Sequence, residues 1–160
     1  MNKILVRILT ACGLAALFGA VPISTAPSAF AATGCINGYS EIGAWDLKGP
    51  GGDKRPDIGG LVLSEKEVSG PNLFCVTTES GSKTEGERKP MMAMIGWYNP
   101  DTGLHYLPMS EGDMYDAGNY ASFAGPVFTK VPDGQCLAFK GSIKYNDKQF
   151  DRVVDTSRCY

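Results

Sequence analysis

From residue 32 onward the chain lacks the three-to-four-residue recurrence of apolar positions that marks an amphipathic helix. Short runs rich in β-branched and aromatic residues recur instead between clusters of Gly, Pro, Asn and Asp. They predict strands over 39–45, 60–63, 74–78, 91–98, 104–107, 121–131, 136–145 and 150–155. Seven or eight short strands predict an all-β fold, a small sandwich or barrel. The clearest hairpin joins Ile95-Gly96-Trp97-Tyr98 to Leu104-His105-Tyr106-Leu107 through Asn99-Pro100-Asp101-Thr102-Gly103. There Pro presets one turn dihedral and Gly permits the positive φ that closes it. Two loops stand out. Residues 46–58 carry three glycines and two prolines, which disfavours a regular element, and residues 79–90 offer no apolar anchor, so that loop is expected to be solvated and mobile.

The first 31 residues follow a different pattern. Lys3 and Arg7 precede a 14-residue apolar stretch, Ile8 to Val21, which ends in a polar region broken by Pro22 and Pro27. Ala29-Phe30-Ala31 then supplies the small residues a signal peptidase accepts, so residues 1–31 are read as a secretory signal peptide and residues 32–160 as one exported β domain. A membrane anchor would need roughly 20 apolar residues. Leu9-Thr10-Ala11-Cys12 resembles a lipidation site, but the apolar run continues behind Cys12 to Val21, which is the wrong position.

Cleavage removes Lys3 and Arg7, so 15 basic residues become 13 against 17 acidic ones, and the net charge moves from −2 to −4. A mildly acidic chain without a basic run does not suit nucleic acid or an anionic membrane surface. Cys12 leaves with the leader, and Cys35, Cys75, Cys136 and Cys159 remain. An even count in an exported chain predicts two disulfides, with three pairings open. A turn at Tyr145-Asn146-Asp147-Lys148, midway between the last two cysteines, favours Cys136 with Cys159 and leaves Cys35 with Cys75. With no C-x-x-C pair, zinc is the poorer reading of the four thiols.

Several local motifs then carry a resemblance. They are Cys35 with Gly38-Tyr39 and Ile42-Gly43, Gly60-Leu61-Val62-Leu63, and Asn72 with Cys75-Val76-Thr77. Asp116-Ala117-Gly118-Asn119-Tyr120, Ala124-Gly125-Pro126-Val127-Phe128, and Cys136 with Gly141-Ser142-Ile143 and Cys159 complete the set. In these the chain resembles the spore-associated protein A family of small exported actinomycete proteins. The resemblance implies a four-cysteine β protein of the cell or spore surface or the medium, and it carries over no catalytic residue. It delivers no activity; small exported β proteins of this general sort from actinomycetes could serve as linkers to a large toxin in secreted antibacterial particles, the sharpest form of an interaction-module reading.

The candidate chemistry is sparse. His105, the one histidine, would have to serve any Ser-His-Asp or Cys-His mechanism, and its place between Leu104 and Tyr106 on a predicted strand reads as structural. Glu111, Asp113 and Asp116 offer oxygens to a hard cation such as calcium, but their spacing matches no EF-hand loop, and a solvated acidic turn is the default. No metal or cofactor is therefore assigned. Aromatics are the stronger signal: Trp97, Tyr98, Tyr106, Tyr115, Tyr120 and Phe123 are the candidate binding residues, because exposed rings stack on sugars or anchor a protein partner, although rings on strands more often fill a core. Met91, Met92 and Met94 allow the same pair of readings.

These features favour a non-enzymatic exported protein–protein interaction module, in its sharpest form an adaptor, over a surface protein that binds envelope carbohydrate and over a weak hydrolase using carboxylates or His105. The partners expected are proteins of an extracellular complex or envelope glycan. Intact mass spectrometry of the secreted protein should find a chain that starts at Ala32 and weighs four hydrogens less than its reduced form, and a chain retaining residues 1–31 would contradict the export reading.

Overall fold

The computed structural model describes Cys35, residues 38–108 and residues 112–160. The proposed signal peptide, the start at Ala32 and Glu111 lie outside the described residues. The described residues form nine strands and no helix: β1 (Ser40–Asp46), β2 (Gly59–Lys66), β3 (Leu73–Ser80), β4 (Lys89–Tyr98), β5 (His105–Tyr106), β6 (Tyr115–Tyr120), β7 (Phe123–Lys130), β8 (Cys136–Tyr145) and β9 (Lys148–Cys159). The all-β, disulfide-stapled fold is thus as the pattern predicts, with one strand, β6, that the pattern misses. No helix among the described residues is long and apolar enough to cross a membrane.

All pairing is antiparallel. Sheet A runs β1-β2-β3-β7, and sheet B runs β5-β4-β8-β9 with β6 also on β4. Met91, Ala93 and Ile95 of β4 are buried and alternate with Met92 and Met94, which are half-buried on the far side, the period-two signature of a strand with one face in a core. The methionine run therefore divides between core and surface. Leu61, Leu63, Phe74, Val76, Phe139 and Ile143 are fully buried between the sheets. Trp45 meets Phe139 edge-on, with ring centroids 5.1 Å apart.

The two disulfides are Cys35–Cys75 and Cys136–Cys159, the favoured pairing. Cys136 and Cys159 face each other across β8 and β9, which the turn at Asn146 (φ 49°) and Asp147 (φ 59°) joins. Such bonds persist in oxidising compartments. Cys75 lies on the side of sheet A turned away from sheet B, in register with Ser64 and Phe128, and Val62, Ser64 and Thr77 are buried on that side too. Cys35 and Tyr39 stand on it, the latter with its ring 5.7 Å from Phe128.

Both long loops are anchored. In the first, Leu47 and Ile58 are buried, and Lys48 exchanges backbone hydrogen bonds with Asp151, capping part of the β9 edge. Arg55 donates two hydrogen bonds to the Asp57 carboxylate, and Lys83 of the second loop pairs with it at 2.8 Å. These partners, Arg55 first, hold the Asp57 carboxyl well below the usual carboxylate range. The second loop differs from the expectation: polar side chains anchor it where apolar ones are lacking. Thr84 is fully buried and donates to the Ile58 carbonyl, while the buried Lys89 ammonium donates to the carbonyls of Thr84, Glu87 and Ala121. Burial lowers the Lys89 pKa, yet three acceptors use all three ammonium protons.

β8 packs tightly against β2 and β3 at Gly141. A Cβ on Gly141 would collide with the Thr78 hydroxyl and the Leu61 side chain. The same hydroxyl donates to the Met92 carbonyl at 2.8 Å, so it has no free direction in which to retreat. Gly141→Ala is expected to cost about 1–3 kcal/mol by overpacking, read as a lower urea midpoint at unchanged slope.

Candidate functional site

The site is built where the two sheets meet at β6 and β7. Read alone, Tyr115-Asp116-Ala117-Gly118-Asn119-Tyr120 is a poor strand, because Asp, Ala, Gly and Asn disfavour the extended state. Its pairing with Lys89–Met94 of β4 overrides that preference. The amide of Ile95 donates to the Met114 carbonyl, and the antiparallel alternation then turns Met114, Asp116 and Gly118 to β4 through their backbones. The side chain of Asp116, in register with the buried Ala93, points across to sheet A.

Both oxygens of Asp116 are used there. Oδ1 accepts the Tyr120 hydroxyl at 2.5 Å, and Oδ2 accepts the Gly125 amide at 2.6 Å. Gly125 has φ +92°, and a Cβ on it would stand 2.8 Å from the Val76 carbonyl, so this position demands glycine on two counts. The peptide that follows, Gly125-Pro126, is cis. Pro126 is accommodated because β7 is the edge of sheet A, where its missing N–H leaves no ladder bond unmade. A second link lies one turn away, where the Phe128 amide donates to the Asp113 carbonyl at 2.6 Å.

Between these links lies an open cleft of about 570 Å³, lined by Asp113, Tyr115, Asp116, Tyr120, Pro126 and Phe128 together with Gly112, Ala117 and Gly125. Its walls are aromatic and its charges are all negative. The Asp113 side chain is exposed and has no hydrogen-bond or ion-pair partner among the described residues. A smaller depression of about 360 Å³ adjoins it on the outer face of sheet B, where Met92, Ala117, Asn119, Ser142 and Lys144 meet.

The structure therefore brings together four sequence candidates, Tyr115, Tyr120, Asp113 and Asp116, and joins to them Pro126 and Phe128. The proline breaks the apolar run of β7 between Phe123 and Phe128, the sequence signal that one of these rings faces out. The remaining candidates lie elsewhere. Trp97 stacks on Tyr106 at 6.2 Å, and Tyr98 stacks on His105 at 5.5 Å, both at the β4–β5 end of sheet B. Phe123 lies on the outer side of sheet A beside Glu79. The aromatics thus fall into separate groups and not into one groove.

His105 is exposed, with Nε2 2.8 Å from Asp155 Oδ1. Asp155 is on β9, two strands beyond β4, so β5 curls over the outer face of sheet B. Gly96 permits this, since a Cβ there would collide with the Tyr106 carbonyl. Among the described residues no group of three or more His, Cys, Asp or Glu side chains is placed to hold a metal ion. Asp113 and Asp116 do share the cleft, but Asp116 already accepts two hydrogen bonds in holding the seam.

No protein-family model, curated protein or solved structure matches this chain.

If Asp116 joins the sheets as described, Asp116→Asn keeps its size but turns an NH₂ toward one of two donors. It should cost about 1–3 kcal/mol. Tyr120→Phe should cost about 1 kcal/mol, and the double variant should fall short of the sum, because the two share one bond. Urea unfolding of the four proteins measures this coupling, and strict additivity would refute the shared bond.

Proposed function

We propose that this chain is an exported, non-enzymatic protein–protein interaction module that engages its partner through the β6–β7 cleft. The observation that carries the reading is the cleft itself: rings and a proline on its walls, held on a stapled scaffold by hydrogen bonds that use the half-buried Asp116 carboxylate for positioning. Aromatic side chains held rigid lose little conformational freedom on binding, which is what makes them anchors at interfaces. The signal-peptide pattern of residues 1–31 supports export, and the paired cysteines are compatible with it. The sharpest form of this reading is an adaptor subunit of an extracellular assembly, of the kind that carries an antibacterial toxin.

A second reading has an observation of its own. Tyr106 is exposed and stacked beside Trp97 at the open end of sheet B, with the exposed Leu104 nearby on the same hairpin. A stacked pair of rings at a surface suits the apolar face of a sugar, so an envelope-glycan site belongs there and not in the cleft.

Affinity isolation from culture medium at native expression, followed by mass spectrometry, separates the two. The module reading expects a protein partner in fixed stoichiometry that Tyr115→Ala weakens about tenfold and Tyr106→Ala leaves unchanged. The glycan reading expects retention on purified cell wall that Tyr106→Ala abolishes. A strictly monomeric protein with no co-purifying partner would overturn the first reading.

A further inference from the structure

The charge of the cleft narrows what its occupant presents. Asp113 and Asp116 both line it, and among the described residues no Lys, Arg or His does. Asp116 cannot swing away, since the Tyr120 hydroxyl and the Gly125 amide hold its two oxygens. Asp113 stands exposed at the rim, its carboxylate without a partner among the described residues, on a turn fixed by the bond from the Phe128 amide to its carbonyl. Tyr115, Tyr120 and Phe128 add ring faces to the same cavity. Carboxylates beside aromatic faces favour a cation that is both planar and weakly hydrated, because it can stack on a ring while donating hydrogen bonds in its own plane.

We infer that the cleft receives an arginine side chain of the partner, the guanidinium stacking against a ring of the wall and donating to Asp113. The inference rests on the interaction-module reading and names what that module recognises. A guanidinium suits the site better than an ammonium: its planar fork matches the carboxylate, and less hydration is lost when it enters a ring-lined cavity. It also suits a chain whose acidic residues outnumber its basic ones even before the leader is removed. Affinity for the isolated group is modest, because the Asp113 end of the contact faces water and salt screens it.

The test uses the oxidised secreted protein and two probes, acetyl-Ala-Arg-Ala-amide and the same tripeptide with citrulline, which keeps the shape of arginine and removes its charge. Amide resonances are followed by ¹H–¹⁵N NMR. The arginine peptide should shift Asp113, Ala117, Gly125 and Phe128 saturably, with Kd on the order of 1–10 mM. Asp113→Asn should weaken it about threefold to tenfold, and added salt should weaken it further. The citrulline peptide should leave those resonances in place. Equal shifts with citrulline, shifts confined to other surfaces, or none up to about 30 mM would overturn the inference.

Failure here and failure of the module reading look different. If a partner co-purifies and both Asp113→Asn and Tyr115→Ala retain it, the arginine inference falls while the chain remains an interaction module. If no partner is captured but the arginine peptide still binds in the cleft, the chemistry of the cleft stands and the module reading falls.

Discussion

Sheet B is organised by the hydrogen-bonding demand of one strand, β4. Both of its edges must be satisfied along ten residues, and three neighbours divide the work. β8 takes one edge over Met91–Tyr98, while β6 and then β5 share the other. A strand with partners on both sides cannot slip without turning its buried Met91, Ala93 and Ile95 to water, so the register is held by burial as well as by bonds. Lys89 begins the strand and gathers the carbonyls of the preceding loop and of Ala121, just past the end of β6. The order of β4 thereby extends into segments that have no apolar residue to pack.

The division of labour on the second edge also creates the cleft. β6 ends its pairing with β4 at Met94, and β5 resumes only at Trp97. β5 then curls away over Gly96, which lets the Tyr106 carbonyl approach the strand. β6 reaches instead toward β7 through the Asp116 carboxylate and the Asp113 carbonyl. Two links from the β6 side to the free edge of β7 hold the seam shut at points and leave a concavity between them. A continuous ladder would have closed it. The price in stability is small, since each link is a hydrogen bond to a charged or well-aligned acceptor, worth about 1–3 kcal/mol.

Much of the fold was legible because local chemistry and tertiary structure agree. The Asn99–Gly103 turn forms as its residues ask, with the Asn99 side chain accepting from the amides of Asp101 and Thr102 and Gly103 at φ +68°. The two-residue turn at Asn146-Asp147 likewise brings Cys136 opposite Cys159. What the pattern missed depends on partners distant in sequence. β6 is a strand only because β4 offers it an edge. The anchoring of residues 79–90 by Thr84 and Lys89 is invisible to hydropathy, which scores a buried ammonium as solvent-facing. The candidate site was half legible for the same reason: Asp113, Asp116, Tyr115 and Tyr120 stood out as an acidic turn and as loose aromatics, and only the seam joins them to Pro126 and Phe128.

The roles of the two carboxylates follow from how each is held. A carboxylate whose oxygens both serve the fold is a fixed negative charge, and moving it would break the link from β6 to β7. A carboxylate at the rim, without a partner among the described residues, can exchange water for a ligand. One shapes the field of the cleft and the other answers to it. This pair keeps one carboxylate committed to structure and one exposed to solvent, an arrangement that fits the proposed recognition of a guanidinium, which asks for preorganised acceptors.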